Sequence, residues 1–142
     1  AVMVPRLVGT WSAAPTGFRL NDAASAEIYT DPVVLNGVST ARDDLVARYR
    51  ALHAAFADLA IEVAAERPVA DGLAVVLRQR GRHVGPLAGP AGLVEPAGRA
   101  FEVLGIDLLG LDEDGRIDTV WVVADELGRL TQLGAFGAPP GT

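Results

Sequence analysis

Two acidic residues in the last third of the chain stand where they could transfer protons. Asp125 ends a run whose alternate residues would share one face of a strand, namely Ile117, Thr119, Trp121, Val123 and Asp125. A carboxylate on an otherwise apolar face is costly unless it is paired or used in chemistry. We therefore expect Asp125 to act as a general acid/base; the alternatives are that it caps the segment beginning at Glu126 or pairs with an arginine.

Asp107 is the second acidic candidate. It interrupts the apolar sequence Ile106-Asp107-Leu108-Leu109, and alternation places it on the same face as Val103, Leu109 and Leu111. It is either a second acid in a pocket or an outward carboxylate that pairs with an arginine across the sheet.

Polar side chains on a neighbouring run could assist. Gln79 and His83 share a face with Val75 and Leu77. His83 could donate to a substrate oxygen or only bond a loop carbonyl. Arg78 and Arg80 take the opposite face and are expected in solvent, but a shift of the register by one residue would exchange the two sets.

Several further residues are candidates for the walls of a pocket. Trp121 and Thr119 share the face expected for Asp125, so both are predicted to contact substrate. Tyr29, Tyr49 and Trp11 could line the mouth of the pocket, although aromatic residues at helical spacing more often belong to the core.

Composition excludes several classes of protein. The 142 residues predict one domain, 1–142, with a disordered tail at 138–142. The chain has no cysteine and a net charge of −6, which excludes thiolate metal sites and argues against nucleic-acid binding. No apolar run approaches the ~18 residues of a membrane span, and no signal peptide is recognisable, so we expect a cytoplasmic protein. Neither a nucleotide-binding loop nor a metal-ligand spacing occurs.

The elements that must position these residues follow from periodicity. Thr40 to Phe56 is predicted to be a helix with Thr40 as its N-cap and a buried stripe at Leu45, Tyr49, Leu52 and Phe56. Two hairpins follow. The first joins Ala60–Arg67 to Leu73–His83 through Asp71-Gly72, and the second joins Ala100–Leu111 to Arg116–Asp125.

The remaining segments are shorter. We expect helices at Pro5–Trp11 and Asp22–Tyr29, a strand at Val33–Leu35 that ends at an Asn36-Gly37 turn, and a loop from Gly85 to Gly98. Leu127–Phe136 either closes the sheet or forms a short helix. Helices followed by antiparallel strands predict an α+β fold, in which a curved sheet wraps around a helix and leaves an open mouth.

Motifs along residues 28–136 resemble the SnoaL-like polyketide cyclase family of the NTF2-like superfamily. They are Tyr29 to Leu35; Leu52 to Leu59; Gly81-Arg82-His83-Val84-Gly85; Pro96-Ala97-Gly98-Arg99; Asp114-Gly115-Arg116-Ile117; Trp121 with Asp125; and Gln132-Leu133-Gly134. Their order and spacing carry the resemblance. The chain departs from the family at Thr119-Val120, where Glu-His is usual, which puts the identity of the substrate in doubt more than the fold.

The resemblance implies an NTF2-like α+β cone with a mixed or antiparallel sheet, and a homodimer or higher oligomer. It also implies a cofactor-free and metal-free cyclase that closes a ring of a polyketide-like small molecule by an aldol-type step. Asp125 fits the position of the family's acid/base, and Asp125→Asn would then lower turnover a hundredfold or more. A pocket that excludes water would raise the pKa of such an aspartate towards neutrality.

Two other functions stay open. An epoxide hydrolase of the limonene-epoxide type shares the fold and would need Asp107, Asp125 and one inward arginine. A non-catalytic binding domain would need only the pocket, and the presence of Asp125 and His83 argues mildly against it.

Overall fold

The computed structural model describes residues 26–135. Residues 26–28 are helical, and the strands and helices that follow are β1 (Tyr29–Leu35), β2 (Val38–Thr40), α1 (Arg42–Ala55), β3 (Phe56–Val69), β4 (Gly72–His83), β5 (Leu87–Gly89), β6 (Gly92–Val94), β7 (Ala100–Leu111), β8 (Ile117–Ala124) and α2 (Glu126–Gln132). The helices predicted at Pro5–Trp11 and for residues 22–25, and the predicted tail at 138–142, lie outside the described residues.

Six strands form one mixed sheet in the order β2-β1-β8-β7-β4-β3. Every neighbouring pair is antiparallel except β1 and β8, which run parallel. The sheet curls without closing and holds α1 against one face, which is the NTF2-like α+β fold. The predicted fold class is therefore confirmed, and both long hairpins form as alternation and turn residues indicated.

Two turns explain the hairpins at either end of the sheet. Asn36 and Gly37 both have positive φ, 49° and 82°, as a two-residue hairpin turn with the twist of its strands requires. Asp71 also has a positive φ, 60°, at the turn between β3 and β4. Asparagine, aspartate and glycine adopt this region most readily, which is why these positions end the strands.

Some boundaries differ from the expectation. Thr40 belongs to β2 and bonds the Val38 carbonyl through its hydroxyl, at 3.0 Å, so the helix begins after Ala41 without a side-chain cap. Phe56 begins β3 rather than ending the helix. The segment expected as a loop from Gly85 to Gly98 contains the small β5–β6 hairpin. The chain after Asp125 forms the short helix α2, which was one of the two alternatives.

The interior is divided into two apolar clusters. The larger packs α1 against β1, β4, β7 and β8, and its least exposed members are Val33, Val75, Leu109 and Ile117. The smaller gathers Ala55, Phe56, Leu59, Phe101, Val103 and Leu133 around the start of β3 and the end of α2. Among residues 26–135, no helix is long and apolar enough to cross a membrane.

Candidate functional site

A cavity of about 580 Å³ lies inside the curled sheet and takes its lining from both apolar clusters. α1 covers one side through Leu45 and Leu52, while β7 and β8 supply most of the opposite wall. Most of the lining is aliphatic, so a ligand in this space would be largely removed from water.

Asp107 is the carboxylate in the wall of this cavity. Alternation along β7 turns Val103, Gly105, Asp107 and Leu109 inward, which is the first of the two alternatives left open for Asp107. Across the sheet, Asp107 pairs with Val75 on β4 and with Val122 on β8, and side chains at paired positions lie about 5 Å apart. Within residues 26–135, no hydrogen bond or ion pair involves the Asp107 carboxyl group. The residue is therefore surrounded by aliphatic neighbours on both sides.

The aliphatic neighbours of Asp107 change the acidity of its carboxyl group. Burial raises the pKa of its carboxyl from 3.8 to about 6, because the charged form loses water without gaining a partner. Gly105, two positions along the same strand, also lines the cavity. The arrangement provides a weak acid that can exchange a proton near neutral pH next to open space.

The structure does not place Asp125 in the cavity. Its side chain is exposed and caps α2, where its Oδ1 accepts the Gly128 N–H at 2.8 Å. The prediction that it shares an inward face with Ile117 is wrong, because β8 contains a bulge. Leu111 pairs with Ile117 while Gly110 pairs with Thr119, which leaves Asp118 without an opposite residue.

The bulge exchanges the two faces of β8 after Ile117. Val120, Val122 and Ala124 line the cavity, so the predicted contacts of Thr119 and Trp121 with substrate are also wrong. Trp121 is half exposed on the outer face, and the Thr119 hydroxyl bonds the Asp118 carboxylate at 3.0 Å. One extra residue thus reverses every side chain beyond it.

The other predicted residues divide into four groups. Gln79 and Tyr29 lie in the cavity wall, and Arg80 faces outward, where it pairs with Glu62 at 2.8 Å. Tyr49 and His83 are buried in the core and do not line the cavity. The Tyr49 ring lies 4.6 Å from that of His53, and the His83 ring lies 5.7 Å from that of Phe56. Trp11 lies outside the described residues.

Sequence reasoning missed Arg129, a buried cation in the cavity wall. It is 6% exposed, and its guanidinium bonds the Gln79 amide oxygen and the Glu126 carboxylate, the latter ion pair at 3.3 Å. The available signal was the spacing of three between Glu126 and Arg129, which forms an ion pair only if the segment is helical.

No metal centre is evident in the part of the chain described. Between residues 26 and 135, no group of three or more histidine, aspartate or glutamate side chains could hold a metal ion.

Comparison with known proteins identifies a family and similar folds. The model of the SnoaL-like polyketide cyclase family matches residues 14–133. No curated protein sequence matches the chain. TsrD from Streptomyces laurentii is 20% identical with a TM-score of 0.79, and the match covers 94% of this chain and 93% of that one.

Two further solved structures are similar. A protein from Jannaschia sp. CCS1, provisionally described as a SnoaL-like polyketide cyclase, is 21% identical with a TM-score of 0.76, over 98% of this chain and 92% of its own. A protein from Catenulispora acidiphila with a ketosteroid isomerase-like fold is 15% identical with a TM-score of 0.69, over 96% and 97% of the two chains. At these identities the likeness shows the fold.

We expect Asp107→Asn to stabilise the protein at pH 7 and to have little effect near pH 4. Because the pKa is raised to about 6 in the folded state, the folded protein holds this proton more tightly than the unfolded chain. The stability that protonated Asp107 contributes is therefore complete below about pH 4 and is lost as the pH rises to about 6. The free energy of unfolding falls by at most about 3 kcal/mol over this range.

Urea unfolding at several pH values would measure this difference directly. Glu113→Gln is the control, since Glu113 is exposed and forms no hydrogen bond or ion pair among the described residues, and its replacement should give the same difference from wild type at every pH. If Asp107→Asn also behaved in this way, the carboxyl group would not be desolvated.

We expect Asp125→Ala to lower the free energy of unfolding by about 1 kcal/mol, because the N-cap of α2 is lost. Asp125→Asn should stay within about 0.3 kcal/mol of wild type, since asparagine caps helices as well as aspartate does. Chemical unfolding of the two variants separates the cap from the charge; equal losses would contradict the capping role.

Proposed function

Because the chain belongs to the SnoaL-like polyketide cyclase family, we propose that it closes a ring in a polyketide-like small molecule with Asp107 as the proton-transferring group. The observation that carries this proposal is a carboxyl group of raised pKa facing an apolar cavity of about 580 Å³. The family match supports a cyclase-type reaction, and the raised pKa of Asp107 supports this residue as the proton-transferring group.

The proposed reaction is an intramolecular aldol addition. The Asp107 carboxylate takes a proton from a carbon next to one carbonyl, and the resulting enolate carbon attacks a second carbonyl of the same chain. The new carbon–carbon bond leaves an alkoxide, to which the Asp107 carboxylic acid returns the proton. Protons and electrons balance, and one residue serves as base and then as acid.

The cavity supports this chemistry in two further ways. Its aliphatic walls favour a folded conformation of a flexible substrate, which brings the two reacting carbons together. The aliphatic walls also limit the access of water. Less water around Asp107 makes its carboxylate a stronger base, and fewer water molecules can protonate the enolate.

The epoxide hydrolase alternative is not favoured by this geometry. It requires two aspartates and an arginine at one point, whereas Asp125 caps α2 at the surface. The raised pKa of Asp107 has burial as its cause and no neighbouring cation. A binding function without turnover would need only the cavity, and turnover measurements distinguish it.

We expect Asp107→Asn to lower kcat/KM by about a hundredfold or more, because asparagine cannot exchange the proton. Asp125→Asn is the matched control: the same substitution, 18 positions later in the chain, should change kcat/KM less than about threefold. The assay would screen linear and partly cyclised poly-β-ketones. Because the ring-closed product has the same mass as its substrate, the two would be separated by liquid chromatography. A fully active Asp107→Asn variant would remove Asp107 from the mechanism.

The pH profile provides a separate prediction. If Asp107 acts first as a base, kcat/KM should level off above about pH 6 and fall about tenfold per pH unit below it, since protonation removes the base. A profile that is flat between about pH 5 and 7 would contradict this role.

We also propose that two copies of the chain associate through the outer face of the sheet. Five large apolar side chains are exposed there on the adjacent strands β7 and β8: Leu104, Ile106, Leu108, Trp121 and Val123. Ile106 pairs with Val123, and Leu108 pairs with Trp121, so the patch is continuous. None of the five carries charge, which allows a second copy with the same net charge of −6 to approach.

Val123→Asp should convert the dimer to a monomer, because a buried unpaired carboxylate at an interface is costly. Val123 is 73% exposed, so the fold should tolerate the change; Leu93, 70% exposed on β6, gives the control Leu93→Asp, which should stay dimeric. Light scattering coupled to gel filtration measures both. A monomeric wild type, or a dimeric Val123→Asp variant, would refute the interface.

A further inference from the structure

Arg129 is buried in a place where a lone cation is costly. The residue is only 6% exposed and lies over the rings of Phe101 and Phe56, at 5.1 and 5.9 Å from their centres. Aromatic faces attract a guanidinium, but they do not replace the hydrogen bonds that it makes in water. Burial accordingly lowers the pKa of Arg129, and Glu126 only partly offsets this.

The partners of Arg129 leave part of its hydrogen-bonding capacity unused. One terminal nitrogen, Nη1, pairs with Glu126, whose side chain is 56% exposed, and the other, Nη2, donates to the Gln79 amide oxygen. The Nε–H is buried and has no acceptor among residues 26–135. A guanidinium carries five N–H donors in a planar fork that suits a carboxylate.

Arg129 and Asp107 both line the cavity, next to different positions of β7. Arg129 contacts Gln79, which pairs with Val103, and Val103 is four residues before Asp107 on β7. Four residues of a strand span about 13 Å. Most of the cavity lining is aliphatic. A ligand that contacts both Arg129 and Asp107 therefore needs a polar group at one end and an apolar carbon skeleton.

We propose that Arg129, held by Gln79, is a binding site for a carboxylate at one end of the substrate. The substrate would then be a free acid that is anchored at Arg129 and reacts beside Asp107, at a position four residues beyond Val103 on β7. The second part of this inference rests on the proposed function of Asp107; the binding of a carboxylate does not.

Arg48 is the other arginine in the cavity lining, and it offers a weaker site. It lies on the exposed side of α1, where water competes for its hydrogen bonds. A charge-assisted bond contributes more where water is excluded. The buried guanidinium is therefore the expected anchor.

Calorimetric titration with 2-naphthoate and its uncharged analogue 2-naphthamide tests the anchor without any turnover. Wild type should bind the carboxylate more tightly, and Arg129→Gln should weaken naphthoate binding about tenfold to a hundredfold while leaving naphthamide almost unchanged. Arg48→Gln should keep the preference, as should Arg80→Gln, which removes a charge from the outer face. Asp107→Asn should also keep it, which separates this site from the proposed chemistry.

Three results would overturn the proposal: no preference for naphthoate in wild type, a preference that survives in Arg129→Gln, or a preference lost in Arg48→Gln instead. Should Arg129→Gln fail to fold, NMR of the wild type gives the same decision. Naphthoate must then shift the Arg129 Nε–H resonance and naphthamide must not; equal shifts, or none, would exclude the anchor.

Discussion

The site depends on one extra residue in β8. Asp118 has no partner on β7, so Ile117 and Val120 both point inward although an odd number of positions separates them. The same shift turns Trp121 and Val123 outward. A single bulge therefore supplies the aliphatic wall beside Asp107 and, on the other side of the sheet, the apolar patch that we assign to a second copy.

Asp107 and Arg129 line the same cavity but do not form an ion pair with each other. If Arg129 lay beside Asp107, the two would form an ion pair, and the pKa of the aspartate would fall below its usual value. Instead Arg129 is bonded to Gln79 and Glu126, and Val75 and Val122 flank Asp107. Because the two groups are not paired, the pKa of Asp107 stays raised, and the Arg129 Nε–H has no acceptor among the described residues.

Most of the sheet was predictable because its signals are local. The hairpin from β3 to β4 follows from alternation on either side of Asp71-Gly72, and the inward positions of Gln79 and Asp107 follow because β4 and β7 pair without a break. The faces of β8 could not be predicted, since a bulge adds one residue without changing the composition of the run. Arg129 was missed because a helix of seven residues has too few positions to show which side is buried.

The prediction of an N-cap for α1 at Thr40 was wrong for a different reason. Thr40 has the side chain of an N-cap, but pairing with Val33 draws it into β2, and its hydroxyl is used within that strand. Tertiary pairing outweighed a local preference worth about 1 kcal/mol. Sequence patterns thus identified the strands and the fold, while the residues that meet in the cavity depended on how the strands pair.

Asp125 and Asp107 differ in how their carboxyl groups are surrounded. Asp125 is exposed and accepts the Gly128 backbone N–H. Asp107 is partly buried and has no hydrogen-bond or ion-pair partner among the described residues, and its charged form is destabilised by this desolvation. The burial that makes the folded protein less stable above about pH 6 also makes this carboxylate a stronger base. A loss of stability and a gain in reactivity are here two results of the same desolvation.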